Sequence, residues 1–371
     1  MGRVLVDYSQ IQQNWLTLGR FVGSGVDVAA VIKCDAYGLG IGKTAKNLHR
    51  RGCRTFFAST IQEAKEIRTF IGDDSARIIV LHPELKRHNI GTELRTYRLT
   101  PCICSLSDLA QVRNSGQNSD LVLYADTGLS QHGFTVGELG NIKALLHSLG
   151  RKRMTLLSHL AAAENPHARD NERQRSLFQA FCSELEPDER SLAASAGVML
   201  GSAYHFDLVR IGDALFGINP RDSFPAVTRP AVSLIGSVVD IRTVPKGAAI
   251  GYGCLDILPK AARIAVVKTG YRHGYPRVCD GRRYAFMNGY FSKVVGQVTM
   301  EFTFLDVSHI PADKVSIGEP VELIGKHIPL NHVAETAGTV ATDVMVRIMA
   351  CADNPEQKDM PVERSLPAVM V

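Results

Sequence analysis

The segment Val28-Ala29-Ala30-Val31-Ile32-Lys33-Cys34-Asp35-Ala36-Tyr37-Gly38-Leu39-Gly40 joins five consecutive apolar residues to a lysine and a glycine-containing turn. The apolar run predicts a buried strand, and Lys33 places an ammonium group at its end. Desolvation at such a position favours the neutral amine, which suits a lysine to Schiff-base formation and general-base chemistry. A lysine in a salt bridge at a strand end explains the same pattern, so charge and burial leave both interpretations open.

The glycines that follow do not complete a phosphate-binding P-loop, because Tyr37 occupies the position of the first glycine in G-x4-G-K-T.

Composition narrows the protein class further. The chain has 371 residues, 45% of them hydrophobic, and a formal charge of +5 without long runs of one sign. These values indicate a globular protein and make nucleic acid an unexpected partner.

Eight cysteines show neither the spacing of a secreted disulfide module nor paired C-x-x-C metal sites. The first residues lack the charge and apolar pattern of a signal peptide, and no run of about 18 apolar residues is present. We therefore expect a cytoplasmic protein that binds neither a membrane nor a structural metal.

Short apolar segments alternate with amphipathic helical segments in the first part of the chain, which is typical of parallel βα units. The pattern predicts a (β/α)8 TIM-type barrel over residues 1–224 and an all-β domain over residues 225–371, with proline-interrupted sequence at the boundary. The predicted barrel strands are 28–32, 55–58, 78–81, 101–104, 121–125, 154–157, 192–194 and 208–211.

Five polar residues follow or end these apolar segments: Lys33, Asp126, His159, Ser195 and Arg210. Barrels of this kind carry their chemistry at the carboxyl ends of the strands. We therefore expect these side chains to share one rim of the barrel.

The Lys33 segment resembles the cofactor-binding segment of the alanine racemase family, and the resemblance extends over nearly the whole chain. The other segments that carry it, in the family order, are 123–128, 157–161, 206–212, 251–253, 270–271 and 295–300. It implies a pyridoxal-phosphate-dependent racemase of L- and D-alanine, with D-alanine serving peptidoglycan precursors. It also implies a homodimer whose subunits share their active sites.

The family pattern assigns roles to individual residues. Lys33 is expected to form the Schiff base with pyridoxal 5'-phosphate, and Arg210 is expected to face its pyridine nitrogen. A guanidinium does not give up its proton, so it weakens the ring as an electron sink and favours reprotonation over side reactions. The other expected cofactor-binding residues are Tyr37, His159, Ser195, Gly212 and Asp213.

Two of these residues also have simpler interpretations. Arg210 could pair with a buried acid such as Asp207, and His159 could be a hydrogen-bonded structural histidine.

Racemisation needs a proton removed from one face of a carbon and returned to the other, so it needs two acid/base groups. The resemblance assigns them to Lys33 and to Tyr252 of the segment Gly251-Tyr252-Gly253, although a tyrosine packed at a β turn is a common alternative. Tyr271 and Met300 match family residues near the substrate, supplied like Tyr252 by the neighbouring subunit.

The sequence departs from the family around the substrate and the phosphate. Gln131 occupies the position of an arginine that binds the substrate carboxylate, and Tyr124 the position of a lysine that orients that arginine. Losing a charge-assisted hydrogen bond costs about 1.5–3 kcal/mol, so binding should weaken unless residues such as Arg272 and His273 compensate. Three further positions that depart from the family pattern are Ala194, Glu301 and Thr342.

These departures leave alternatives open. The chain could be a racemase for another amino acid, or a pyridoxal-phosphate-binding relative with little activity, although such relatives typically consist of the barrel alone. A metal-dependent aldolase of related fold would need a cluster of metal-ligating side chains, and the twelve histidines are scattered along the sequence.

Overall fold

The structure is a computed structural model that describes residues 2–114, 120–149, 153–220, 227–254, 256–277, 281–352 and the backbone of 356–357. Its contacts divide the chain into two compact units. One is Asn14–Arg229, and the other combines Met1–Gln13 with Pro230–Val371. The predicted boundary between residues 224 and 225 lies outside the described residues.

The strands are β1 (Arg3–Val6), β2 (Asp27–Val31), β3 (Thr55–Ala58), β4 (Arg77–Val80), β5 (Leu99–Ile103), β6 (Leu121–Tyr124), β7 (Met154–Leu157), β8 (Glu189–Ser191), β9 (Leu208–Ile211), β10 (Val232–Val244), β11 (Ala249–Ile250), β12 (Asp256–Ile257), β13 (Ala262–Val267), β14 (Tyr284–Met287), β15 (Tyr290–Val295), β16 (Thr303–Asp306), β17 (Pro320–Ile324) and β18 (Glu356–Gln357). The helices are α1 (Tyr8–Val22), α2 (Lys33–Tyr37), α3 (Ile41–Arg50), α4 (Ile61–Ile71), α5 (Ile90–Thr96), α6 (Leu106–Asn114), α7 (Leu139–Leu149), α8 (Arg169–Leu185), α9 (Ser195–Val198), α10 (Leu330–Thr336) and α11 (Ala341–Ala350).

Strands β2 to β9 form the predicted barrel. Each pairs in parallel with its neighbour from β2 through to β8, and β9 pairs with β2. The ring closes between β8 and β9 through a parallel bridge of Ala194 with Arg210 and a hydrogen bond from the Arg210 amide to the Ala193 carbonyl, 3.0 Å. Apolar side chains from these strands fill the interior: Ala29, Phe57, Ile79, Cys102, Val122, Leu157 and Leu208. The predicted barrel is confirmed.

One barrel strand lies earlier than predicted. The ladder of β7 with β8 aligns Thr155 with Glu189 and Leu157 with Ser191, so the strand covers Glu189–Ser191 instead of 192–194. Of the predicted residues only Ala194 forms a bridge, and that bridge is isolated.

The second unit is the predicted all-β domain, built mainly of antiparallel strands. The long strand β10 pairs with β1, β13 and β17, and the sheet continues through β16, β15 and β14. The first strand, which the sequence placed in the barrel region, belongs here because it pairs with β10 from Arg3 opposite Ile235 to Val6 opposite Val232. Val4 and Val6 are buried in this sheet, which holds the chain's beginning to the β unit.

Candidate active site

A single residue separates the end of β2 from Lys33, which opens an unusual left-handed helical turn, α2. Cys34, Asp35, Ala36 and Tyr37 have φ values of 54°, 55°, 53° and 59°. Left-handed backbone costs L-residues roughly 1–2 kcal/mol each, so four in succession require support from their surroundings.

That support comes from two carboxylates. Glu63 Oε1 accepts a hydrogen bond from the Asp35 amide at 3.1 Å, and Asp35 Oδ1 accepts one from the Ile41 amide at 2.7 Å. The turn thereby fixes the position of Lys33 at the carboxyl end of the barrel. Among the described residues no carboxylate pairs with the Lys33 ammonium, so the salt-bridge interpretation of this lysine is wrong.

A cup of polar groups lies next to this turn. The Ser195 hydroxyl oxygen accepts hydrogen bonds from the amides of Gly212, at 3.1 Å, and Ala214, at 3.3 Å. The Tyr37 hydroxyl lies so close to Gly212 that a Cβ on that glycine would be 2.4 Å from its oxygen. A side chain at residue 212 would displace the Tyr37 hydroxyl, and the cup brings together hydroxyls and backbone amides, the groups that bind anions in proteins.

Asp213 contributes its side chain to the cup. Burial raises the pKa of Tyr37 well above its usual value, and the hydrogen-bonded Asp213 carboxylate adds to the increase. Burial likewise raises the pKa of Asp213. The amide that joins that of Gly212 in the cup belongs to Ala214, the residue after the expected Asp213.

Arg210 is buried, with 5% of its surface exposed, and its hydrogen-bond acceptors are neutral. Nη1 donates to the Ser191 carbonyl at 2.9 Å, and Nη2 donates to the Ser158 carbonyl at 2.5 Å. Asp207 pairs instead with Arg190, at 2.7 Å. The interpretation of Arg210 as the partner of Asp207 is therefore wrong, and its charge is available to a ligand.

His159 lies beside Arg210, with Nδ1 3.4 Å from Nη2. Burial, together with the positive charges of Arg210 and Lys33, lowers the pKa of His159 to about 4. The imidazole is thus neutral near pH 7, and its Nδ1 can accept from the guanidinium. Lys33, His159 and Arg210 therefore belong to one electrostatic site.

Two histidines that the sequence reasoning missed lie together, one in a tight loop after β6 and the other after β4. Gly133 (φ 115°) approaches Tyr124 so closely that a Cβ would be 2.7 Å from its ring, which places His132 over Tyr124 with 4.5 Å between ring centroids. His82, just after β4, lies against His132 at 5.4 Å. The strand-end rule that selected Lys33 would also have selected His82. Gln131, the expected substrate-binding residue, is exposed.

The expected residues of the second unit are exposed on it: Tyr252 by 67%, Met300 by 55% and Tyr271 by 39%. Backbone hydrogen bonds join the last two segments, since the Tyr271 amide donates to the Thr299 carbonyl at 3.0 Å. Gly251 and Gly253, both at positive φ, flank Tyr252.

The two residues proposed to compensate for lost charges already have partners. Arg272 pairs with Glu301 at 3.3 Å, and His273 Nδ1 accepts from the Gly270 amide at 3.2 Å. No group of three metal-ligating side chains occurs among the residues described, and no helix in those ranges is both long and apolar enough to span a bilayer.

Comparison with known proteins follows the same division of the chain. Residues 6–220 match the family model "Alanine racemase, N-terminal domain", and residues 231–353 match "Alanine racemase, C-terminal domain". The chain belongs to the alanine racemase family. The family membership predicted from the sequence is confirmed.

Relatives of known name span nearly the full chain. The biosynthetic alanine racemase of Mesorhizobium japonicum is 34% identical, covering 93% of this chain and 86% of the relative. The alanine racemase of Methylobacterium nodulans is 32% identical, covering 94% of each.

Two solved structures are also similar to this chain over nearly its whole length. Bartonella henselae alanine racemase with covalently bound pyridoxal phosphate has a TM-score of 0.85 at 27% identity, covering 96% of this chain and 98% of that one. The biosynthetic enzyme of Pseudomonas aeruginosa has a TM-score of 0.86 at 28% identity, with the same coverage.

Proposed function

We propose that this member of the alanine racemase family interconverts L- and D-alanine with bound pyridoxal phosphate, using Lys33 and Tyr252 as the two acid/base groups. The observation that carries the proposal is the Lys33 turn. A costly left-handed backbone places an amine without a carboxylate partner in the same electrostatic site as His159 and Arg210.

The residues of the barrel fit the cofactor. The Tyr37 and Ser195 hydroxyls, with the amides of Gly212 and Ala214, suit its phosphate. Neutral His159 offers a flat face for the ring, and Arg210 offers a permanently protonated donor for the ring nitrogen. When bound, the cofactor withdraws electrons from the amino acid and makes its Cα–H bond acidic.

The two acid/base groups act on opposite faces of Cα. Lys33 Nζ removes the Cα proton of D-alanine, or adds the proton that forms D-alanine. Tyr252 Oη removes the Cα proton of L-alanine, or adds the proton that forms L-alanine. The Arg210 guanidinium keeps its protons. This limits how far negative charge is stabilised away from Cα and favours prompt reprotonation of Cα.

The proposal includes a homodimer in which each subunit offers Tyr252, Tyr271 and Met300 to its partner. The exposure of these three side chains on the β unit supports it, because large side chains left open to solvent commonly mark contact surfaces. A cytoplasmic role in supplying D-alanine for peptidoglycan precursors completes the proposal.

The test is an absorbance spectrum of the protein with pyridoxal phosphate, followed by L-alanine and a chiral assay for D-alanine. We expect a visible band and D-alanine. Tyr252→Phe should keep the band and lose racemisation, whereas Tyr284→Phe, an exposed tyrosine of the same unit, should change neither. A band with faster turnover of another amino acid would favour the alternative substrate. A band without turnover of any amino acid would indicate an inactive relative.

A further inference from the structure

The imidazoles of His82 and His132 have no role in the function proposed above. His82 follows β4, and His132 lies in the loop after β6, so the two come from barrel strands separated by β5 alone and meet edge to face with 5.4 Å between ring centroids. Within the described part of the chain, neither ring nitrogen of either histidine has a hydrogen-bond partner. Both rings therefore have donors available to a ligand.

The loop that carries His132 is built to hold it there. The Phe134 amide donates to the Tyr124 carbonyl at 2.8 Å, and the Asp126 amide donates to the Phe134 carbonyl at 2.9 Å, which closes the loop. Asp126 Oδ1 accepts from the amides of Gly128, at 2.9 Å, and Ser130, at 3.1 Å. Closure and the glycine contact at residue 133 fix the ring over Tyr124.

The charged groups around His132 are mostly positive or able to become positive. Burial lowers its pKa, and His82 and Lys33 lower it further, with Asp126 as the opposing anion. His132 in turn lowers the pKa of His159, and Arg210 acts on the Tyr124 ring beneath it. The groups facing this ring are thus mostly cationic or able to become so, and the single carboxylate already accepts two backbone amides. An anion placed here would relieve this imbalance.

We propose that His132, assisted by His82, binds the carboxylate of the amino-acid substrate at the mouth of the barrel. The assignment rests on the proposed function, because the substrate amine must go to the Lys33 side of the site and leaves the carboxylate to be recognised nearby. The neighbouring Gln131 has only a neutral amide to offer. Carboxylate binding would stabilise the imidazolium of His132, so affinity for substrate should fall as pH rises.

The first test uses the cofactor-loaded protein with its histidines labelled at carbon Cε1 and followed by NMR. Propionate, which is alanine without the amine, should shift the His132 and His82 signals saturably and raise the pKa of His132. Ethylamine, which is alanine without the carboxylate, should not raise the pKa of His132. Neither probe should shift the signal of His147, an exposed histidine of α7. Unchanged His132 and His82 signals at saturating propionate would overturn the proposal.

The second test is kinetic. His132→Leu should raise KM for L-alanine about tenfold or more while kcat stays within about threefold, as expected for losing one charge-assisted hydrogen bond. His132→Gln should keep part of the affinity and lose the rise of KM with pH, and His147→Leu should match the parent protein. An unchanged cofactor band shows that the variants are folded.

These outcomes separate the two proposals. Alanine racemisation with no propionate response, or with equal KM and pH profile in His132→Leu, rejects the carboxylate site and leaves the racemase standing. A propionate response without alanine turnover supports the site and rejects alanine as the substrate.

Discussion

At the amino end of the barrel, Arg77 donates to Glu189 and to Thr155, both at 2.5 Å, and Thr155 also donates to Glu189 at 2.7 Å. Arg153 pairs with the second Glu189 oxygen at 3.2 Å. At the carboxyl end, Lys33 has no carboxylate partner among the described residues, and Arg210 donates to neutral groups. The same eight strands thus carry a paired set of charges at one end and an unpaired set at the other.

The difference shows how the fold separates stability from chemistry. Charges with protein partners hold strands together, and breaking such a buried pair is costly. Charges without them reduce the stability of the empty protein and await a ligand that completes them. Changes at the two ends should therefore give opposite results: lost activity with stability kept at the carboxyl end, and lost stability with activity kept at the amino end.

The largest expected effect is at Lys33. Lys33→Ala should reduce alanine racemisation by at least about 10⁴-fold, because it removes an acid/base group and the cofactor anchor together. The visible cofactor band should disappear. The urea midpoint without added cofactor should not fall, since no carboxylate loses a partner. A marked fall in that midpoint would show that Lys33 is structural and would break the comparison.

At the opposite end, Glu189→Gln should lower the free energy of unfolding by about 3 kcal/mol, because it removes the buried carboxylate that neutralises the half-buried guanidinium of Arg77. Urea unfolding measures the loss, and kcat of the folded variant should stay within about twofold. Glu184→Gln is the matched control, because Glu184 pairs with Lys143 on the surface and such pairs contribute about 0–1 kcal/mol. Equal losses in both variants would contradict the role of burial.

The same contrast shows what the sequence could reveal. Parallel strands buried on both faces read as apolar runs, so the barrel and the polar residues at its strand ends could be predicted from sequence. The structural unit to which β1 belongs could not be predicted. Its partner β10 lies more than 200 residues away, and a local sequence pattern does not identify strand partners.

Two site features were also beyond sequence reasoning. Nothing in Cys34-Asp35-Ala36 predicts left-handed backbone, because L-residues disfavour it and the conformation depends on Glu63 from another helix. His132 sits in a loop whose path depends on the close approach of Gly133 to Tyr124, which only the folded backbone shows.

His159 should make the stability of the protein depend on pH. Its folded pKa of about 4 lies below the usual value of 6.5, so the unfolded chain binds the extra proton and stability falls as pH drops from 6.5 towards 4. The contribution is on the order of 3 kcal/mol. Urea unfolding at pH 7 and pH 4.5, without added cofactor, should show a smaller loss for His159→Gln than for the parent. Identical losses would mean that His159 is not desolvated.

The smallest effect tests the support of the Lys33 turn. Glu63 serves two structures: its Oε2 accepts from the Ser59 amide at 2.7 Å at the start of α4, and its Oε1 accepts from the Asp35 amide at 3.1 Å. Glu63→Ala should cost about 1–2 kcal/mol of stability, since a helix cap and a hydrogen bond of the strained turn are lost together.

Thr60→Ala separates these two losses. The Thr60 hydroxyl accepts from the Glu63 amide at 3.3 Å, so its removal weakens the cap of α4 and leaves the bond to Asp35 intact. Both variants should therefore lose about 1 kcal/mol or more in urea unfolding. Only Glu63→Ala should also lower kcat, by roughly three- to tenfold, because a loosened turn no longer holds Lys33 at the geometry that proton transfer requires. If Thr60→Ala lowers kcat equally, the general stability of α4 positions Lys33, and the bond to Asp35 has no separate role.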